Sequence, residues 1–68
     1  MQAVPAGLRV SGENMSLNWK ARQGTRYQIQ GSNDQANWTN YGTVKTGASN
    51  MSAQVNRQYR FYRVVVSD

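Results

Sequence analysis

The chain is poor in the side chains that enzymes use for nucleophilic attack and proton transfer. It contains no His and no Cys, so a Ser or Thr nucleophile lacks its usual base and a zinc ion lacks its usual ligands. The acids are Glu13, Asp34 and Asp68, which fall in predicted turns or at the terminus, whereas acid–base catalysis needs two ionisable groups in one cleft. Lys20 and Lys45 are predicted to be exposed. We therefore expect no enzyme activity and no cofactor.

One polar segment contains oxygen ligands for a calcium ion. Asn33, Asp34 and Asn37 lie within five residues of one another, but a single carboxylate is too little charge for a tight site. Asn and Asp are also the residues that form turns most readily. We interpret these three as turn formers and expect no metal site.

Two aromatic residues flank a segment rich in Asn and Thr. Trp38 and Tyr41 fall on opposite faces of a weak predicted strand, so one is expected to pack inside while the other is exposed. An exposed aromatic ring beside an amide such as Asn40 suits stacking against a sugar ring. The alternative is that both rings belong to the core. Trp38, Asn40 and Tyr41 are therefore the candidate glycan-binding residues.

The basic residues near the C-terminal end raise a third possibility. Arg57, Arg60 and Arg63 lie among tyrosines, and the chain has a formal net charge of +5, which suits single-stranded nucleic acid. Alternation, however, places Arg60 with Tyr62 and Arg63 with Tyr59 on the opposite face. The arginines are not expected to line one groove, and the simpler interpretation is that they guard a sheet edge.

The elements that carry these residues are predicted to be short strands. The 68 residues form a single domain, residues 1–68, that buries only about 60% of its unfolded surface. Alternating apolar residues separated by turn residues predict six strands, at residues 8–10, 15–20, 26–30, 38–44, 51–55 and 59–66. No helix lies between them, which predicts a small antiparallel β-sandwich. No apolar run is long enough to span a membrane, so membrane insertion is not expected.

The alternation also predicts which side chains are buried. Met15, Leu17 and Trp19 share one face of the second strand, and Tyr27 and Ile29 share the buried face of the third. The third strand's remaining side chains, Arg26, Gln28 and Gln30, are predicted to face out. Gly42 marks a possible bulge.

The chain resembles fibronectin type III-like modules found near the C-termini of large secreted bacterial proteins. The resemblance rests on LNWKARQGTRYQIQGSNDQANWTNYG followed by RFYRV, which together cover nearly half of the chain. In that family a strand-B Trp, here Trp19, packs under a strand-C Tyr, here Tyr27. Gly31 departs from the pattern, since the family often has a polar or aromatic residue there.

The resemblance implies an accessory, non-catalytic module involved in attachment, spacing or carbohydrate contact. The family's seventh strand, G, pairs with strand F, and we expect it to be missing, which leaves residues 59–66 with a free edge. We therefore predict a binding or structural module in an extracellular, cell-surface or virion assembly, whose partner is another protein or a second copy of the chain. The predicted partner-binding residues are Tyr59, Arg60, Phe61, Arg63 and Val65.

Overall fold

The structure is a computed structural model that describes residues 2–67 and contains seven β-strands within that range. Met1 and Asp68 lie outside the described residues. The strands are β1 (Ala3–Val4), β2 (Gly7–Ser11), β3 (Asn14–Lys20), β4 (Arg26–Ser32), β5 (Thr39–Thr46), β6 (Asn50–Val55) and β7 (Phe61–Ser67).

The strands form two antiparallel sheets that pack face to face. One sheet has the order β1-β7-β4-β5, and the other has the order β2-β3-β6. The fold is therefore a small antiparallel β-sandwich, which confirms the predicted class. All six predicted strands are present with shifted ends, whereas the two-residue strand β1 was not predicted.

The core lies between the inward faces of the two sheets. Leu17 and Trp19 on β3 face Tyr27 and Ile29 on β4, and all four side chains are buried. The Trp19 and Tyr27 ring centroids are 5.9 Å apart with a tilt of 59°, a favourable aromatic geometry. Nε1 of Trp19 is buried without a hydrogen-bond partner among residues 2–67, so Trp19 stabilises the core through packing.

One face of β7 points into the core. Val64 is fully buried in the core, and Tyr62 and Val66 pack against the core from the same face. The start of this strand was predicted wrongly, because β7 begins at Phe61. Tyr59 and Arg60 belong to the preceding turn, so their predicted faces do not apply.

The predicted bulge at Gly42 is confirmed. The register between β4 and β5 shifts between Tyr27, which pairs with Lys45, and Ile29, which pairs with Tyr41. Gly42 lies in the extra length of β5 with a φ of 73°, a conformation that glycine adopts without steric cost.

The bulge explains why Gln28 is buried. Gln28 was predicted to face out and does lie on the outer face of the sheet, yet it is only 5% exposed. Its Nε2 donates to the carbonyl oxygens of Tyr41 at 3.2 Å and Gly42 at 3.3 Å. Gln28 therefore supplies hydrogen bonds where the bulge interrupts the ladder. Gln30 is also buried, at 6% exposure, so the prediction that these two side chains are solvent-exposed was wrong.

We predict that Gln28→Leu lowers the free energy of unfolding by about 1–3 kcal/mol, because it leaves the bulge carbonyls without their donor. Urea denaturation measures the change. Gln54→Leu is the matched control, since Gln54 is exposed and bonds to Asn14 at the surface; its effect should be below about 0.5 kcal/mol. Equal losses in the two variants would show that the bulge does not depend on Gln28.

Within residues 2–67, no helix is long and apolar enough to cross a membrane.

Candidate functional site

The outer side of β7 is only partly paired. β1 pairs Ala3 with Val65 and Val4 with Val64, and the N–H of Val66 donates to the carbonyl of Gln2 at 2.9 Å. No described strand pairs with the other half of β7 on this side. We call this half, residues 61–63, the free edge. Because alternate residues of a strand direct their backbone groups to the same side as Val66, the N–H and C=O of Tyr62 are the groups of this half that another strand can meet.

Two apolar side chains of β2 are poorly covered. Leu8 and Val10 on β2 pair with Leu17 and Met15 on β3, and side chains paired in register share one face of a sheet. Leu8 and Val10 therefore point between the sheets, yet they are 55% and 57% exposed. The reason is that β1, on the opposite sheet, is two residues long and does not extend over them.

The space between β2 and the free edge forms a groove of about 260 Å³. We call it the edge groove. Leu8, Met15 and Leu17 line it from one sheet, and Phe61 and Tyr62 line it from the other. Trp38, Gln35, Arg60 and Ala6 complete its lining. The groove is apolar inside and carries an arginine, and a free backbone edge runs along it.

Asp34 organises the loop that leads to the groove. Its carboxylate accepts the backbone N–H groups of Ala36 at 2.9 Å and Asn37 at 2.8 Å. Asn37 Nδ2 and the Ser32 hydroxyl each donate to it at 2.9 Å. These hydrogen bonds, with the Asn37 N–H first, hold the pKa of the Asp34 carboxyl well below its usual range. The interpretation of this segment as a turn is confirmed.

The loop is tied to the start of β7. Asn33 Oδ1 accepts the backbone N–H of Arg60 at 3.0 Å. Gln35 has a φ of 61°, in the left-handed region that non-glycine residues rarely adopt and that often marks functional sites. The Asp34 turn therefore positions Gln35 and Arg60, both of which line the groove.

A polar ladder crosses the outer face behind the free edge. The Arg63 guanidinium lies 4.2 Å from the centroid of the Trp38 ring, which is within cation–π range. Arg63 Nε donates to Gln30 Oε1 at 2.8 Å, and Gln30 Nε2 donates to Asn40 Oδ1 at 3.0 Å. Arg63 is thus held by a ring and an amide on neighbouring elements.

Three tyrosines pack edge to face near the end of the groove. Tyr41 and Tyr62 have ring centroids 5.4 Å apart, and Tyr59 contacts both rings, at 6.5 Å from Tyr41 and 6.0 Å from Tyr62. The Tyr62 hydroxyl donates to the carbonyl of Asn56 at 2.7 Å, and burial raises the pKa of that hydroxyl. A side chain at position 31 would overlap the Tyr59 ring, which gives a physical reason for Gly31.

The predicted glycan-binding residues do not form one platform. Tyr41 packs against the core, whereas Asn40 is exposed and belongs to the polar ladder. One face of the Trp38 ring is covered by Arg63. Glycan binding stays a prediction that this arrangement does not favour.

Among the predicted partner-binding residues, Arg60, Phe61 and Arg63 lie at or beside the free edge, and Tyr59 packs in the tyrosine cluster. Val65 is 1% exposed, so its side chain is not accessible for a contact. Arg57 is exposed in the turn before β7, and Arg63 lies on the outer face. The arginines therefore do not converge on one groove, as predicted, and nucleic-acid binding also stays a prediction.

Comparison of the chain with models of protein families, with curated proteins and with solved structures finds no match. Sequence reasoning missed Leu8 and Val10 as site residues. The pattern in the sequence that could have identified them is a short strand that carries two apolar side chains on one face.

We predict that Gly31→Ala lowers the free energy of unfolding by about 1–3 kcal/mol, because the added methyl group displaces the Tyr59 ring. In a Tyr59→Ala background the same change should cost much less, since the ring that it displaces is gone. Urea denaturation of the two single variants and the double variant measures this coupling. A cost that is equal in both backgrounds would contradict the proposed packing.

We predict that Asp34 stabilises the fold in a pH-dependent way. Because its pKa is lower in the folded chain, its contribution is complete above the ordinary aspartate pKa of about 3.9 and is lost progressively as the pH falls below it. Asp34→Ala should lower the Tm at pH 6, and the difference from wild type should narrow towards pH 2. Carboxyl-carbon NMR gives the pKa itself, and a midpoint near 3.9 would contradict the prediction.

Proposed function

We propose that the chain is a non-catalytic binding module whose free edge receives an extended segment of a partner protein. The observation that carries this proposal is the unpaired half of β7, which lines one groove together with Leu8, an inward-pointing side chain that remains half exposed. Addition of a strand to a sheet edge is an established mode of peptide recognition, in which backbone hydrogen bonds give affinity and side-chain pockets give specificity.

The geometry suits this mode on both counts. A segment added at residues 61–63 meets the N–H and C=O of Tyr62, which point away from β4 as those of Val66 do, and it continues the sheet beyond the end of β1. Alternate side chains of that segment point inward, into the edge groove. Covering Leu8, which is about half exposed and lines this groove, contributes on the order of 1 kcal/mol.

The fibronectin type III resemblance supports the proposal. The Trp19–Tyr27 contact is the one that the resemblance implies, and β1 lies beside β7 where strand G of that family is expected. β1 fills only part of that place, next to Val64 and Val65. We propose that a partner strand fills the rest, in an extracellular, cell-surface or virion assembly.

A library of seven-residue peptides tests the proposal. Positions 2, 4 and 6 are drawn from Val, Leu and Ile, and positions 1, 3, 5 and 7 are drawn from Ser, Thr, Gln, Glu and Lys. Peptides retained by the immobilised chain are synthesised and titrated into ¹⁵N-labelled protein. We expect shifts concentrated at the free edge and at Leu8 and Val10.

Two controls separate strand addition from simple apolar contact. N-methylation of alternate peptide nitrogens on the paired side removes donors and keeps the side chains, so it should abolish the shifts. Leu8→Asn makes the groove polar without changing the edge backbone and should weaken binding several-fold. If no retained peptide shifts the free edge, or if N-methylation has no effect, the proposed function is wrong.

A further inference from the structure

We infer that the end of the sandwich opposite the Asp34 loop is a second binding site, which takes an anionic polysaccharide. The site does not rest on the proposed function, because it lies at the other end of β7 from the free edge. Three features support it: the separation of charge along the strands, the hydrogen bonds that hold the connection carrying Arg22, and the amide-lined depressions around that connection.

Four basic residues lie at this end, which we call the basic end: Lys20, Arg22, Arg26 and Lys45. β3 ends at Lys20, and β4 begins at Arg26, which pairs with Thr46 of β5. The side chains of Lys20, Arg22 and Arg26 are exposed. Their charges are therefore accessible to a ligand.

The acids of residues 2–67 lie at the opposite end. Glu13 precedes β3 and Asp34 follows β4, and each of these strands is seven residues long. That length separates both carboxylates from the basic end by about 20 Å, which exceeds the screening length of about 8 Å at physiological salt. No carboxylate of the described residues therefore neutralises the basic end, and its positive potential attracts anions.

The connection between β3 and β4, residues 21–25, is held by hydrogen bonds. The Arg22 N–H donates to the Tyr27 hydroxyl at 2.8 Å, and the Thr25 N–H donates to the Arg22 carbonyl at 3.1 Å. The Ala21 N–H donates to the Ser49 carbonyl at 3.0 Å, which joins this connection to the one before β6. A ligand therefore meets a preformed backbone, so binding does not cost the entropy of ordering a loop.

Three open depressions surround this connection. Lys20 and Arg22 line one of about 470 Å³. Gln23 lines another of about 520 Å³, and Asn18 and Asn50 line a third of about 480 Å³. Each has the volume of a pocket for a small ligand, and amide side chains donate and accept hydrogen bonds as sugar hydroxyl groups do. A chain of sugar units fits this arrangement, with its hydroxyl groups at the amides and its sulfate or carboxylate groups at the basic side chains.

The basic end does not suit the other anionic ligands. Among residues 2–67, the aromatic rings at this end are those of Trp19 and Tyr27. Each residue is only 4% exposed, so the rings are not accessible for stacking against the bases of a single-stranded nucleic acid. Ala21 and Ala48, the apolar residues of the two connections, are too small to anchor the chain in a membrane. We therefore commit to a polysaccharide.

Titration of short dextran sulfate chains into ¹⁵N-labelled protein tests this inference. We expect chemical-shift changes at residues 20–26 and 45–50, and no changes with unmodified dextran of the same length. Raising the salt to about 0.5 M NaCl should weaken binding, since the charges are exposed and therefore screened. Shifts centred on residues 57–63, or no shifts at all, would overturn the inference.

Two double variants remove the same charge from different places. Lys20→Gln/Arg22→Gln alters the basic end. Arg9→Gln/Arg57→Gln is the matched control, because Arg9 and Arg57 are also exposed but lie on β2 and in the turn before β7. We expect the Kd for dextran sulfate to rise about tenfold in the first variant and less than about twofold in the control. Equal losses would show that only the net charge matters, and the inference would be wrong.

Two further probes represent the other ligand classes: oligothymidylate, and vesicles that contain phosphatidylserine. Tighter binding of either probe than of dextran sulfate at the basic end would make the ligand a nucleic acid or a membrane surface, and the polysaccharide inference would be wrong. None of these outcomes involves a peptide at the free edge, so failure here is distinguishable from failure of the proposed function.

Discussion

The packing of one inward face of each sheet against the other is the interaction on which the structure depends. Leu17 and Trp19 from one sheet meet Tyr27, Ile29 and Val64 from the other. With 68 residues and no cysteine, the chain has no disulfide to supplement this layer. Every strand is therefore positioned by its contact with a core about one side chain deep. A strand that does not reach this core adds little to the stability of the fold.

This limit explains why the two margins of the sandwich differ. β4 lies at the centre of its sheet, with β5 on one side and β7 on the other. Gln28 and Gln30 add partly buried hydrogen bonds on its outer face, so this part of the sheet is held on both faces. β1 and β2 are outer strands of their sheets, and β1 has two residues whereas β2 has five. The uncovered apolar surface results from this mismatch in length.

The fold class and most of the core could be predicted from sequence because period-two alternation is strong in β3 and β4. Leu17, Trp19, Tyr27 and Ile29 are buried as predicted. The same alternation failed for Gln28 and Gln30, since it assigns a face and cannot show that a bulge on a neighbouring strand will bury a polar side chain. Alternation also placed the start of the last strand at Tyr59, whereas β7 begins at Phe61, because a side-chain pattern does not show where backbone pairing between strands begins. β1 was not predicted because two residues are too few to show a period. The edge groove was therefore not predicted either.

The bulge in β5 has a consequence for how far this sheet can grow. β5 is the other outer strand, and around Gly42 its backbone departs from regular spacing while Val44 remains 43% exposed. A straight strand does not pair well along such a margin, and bulges are one of the devices that prevent edge-to-edge aggregation. One margin of the sheet is thus unpaired beside residues 61–63, and the other is interrupted by the bulge. Two regular unpaired margins would allow copies of a sheet to stack into a fibre, and the bulge removes one of them.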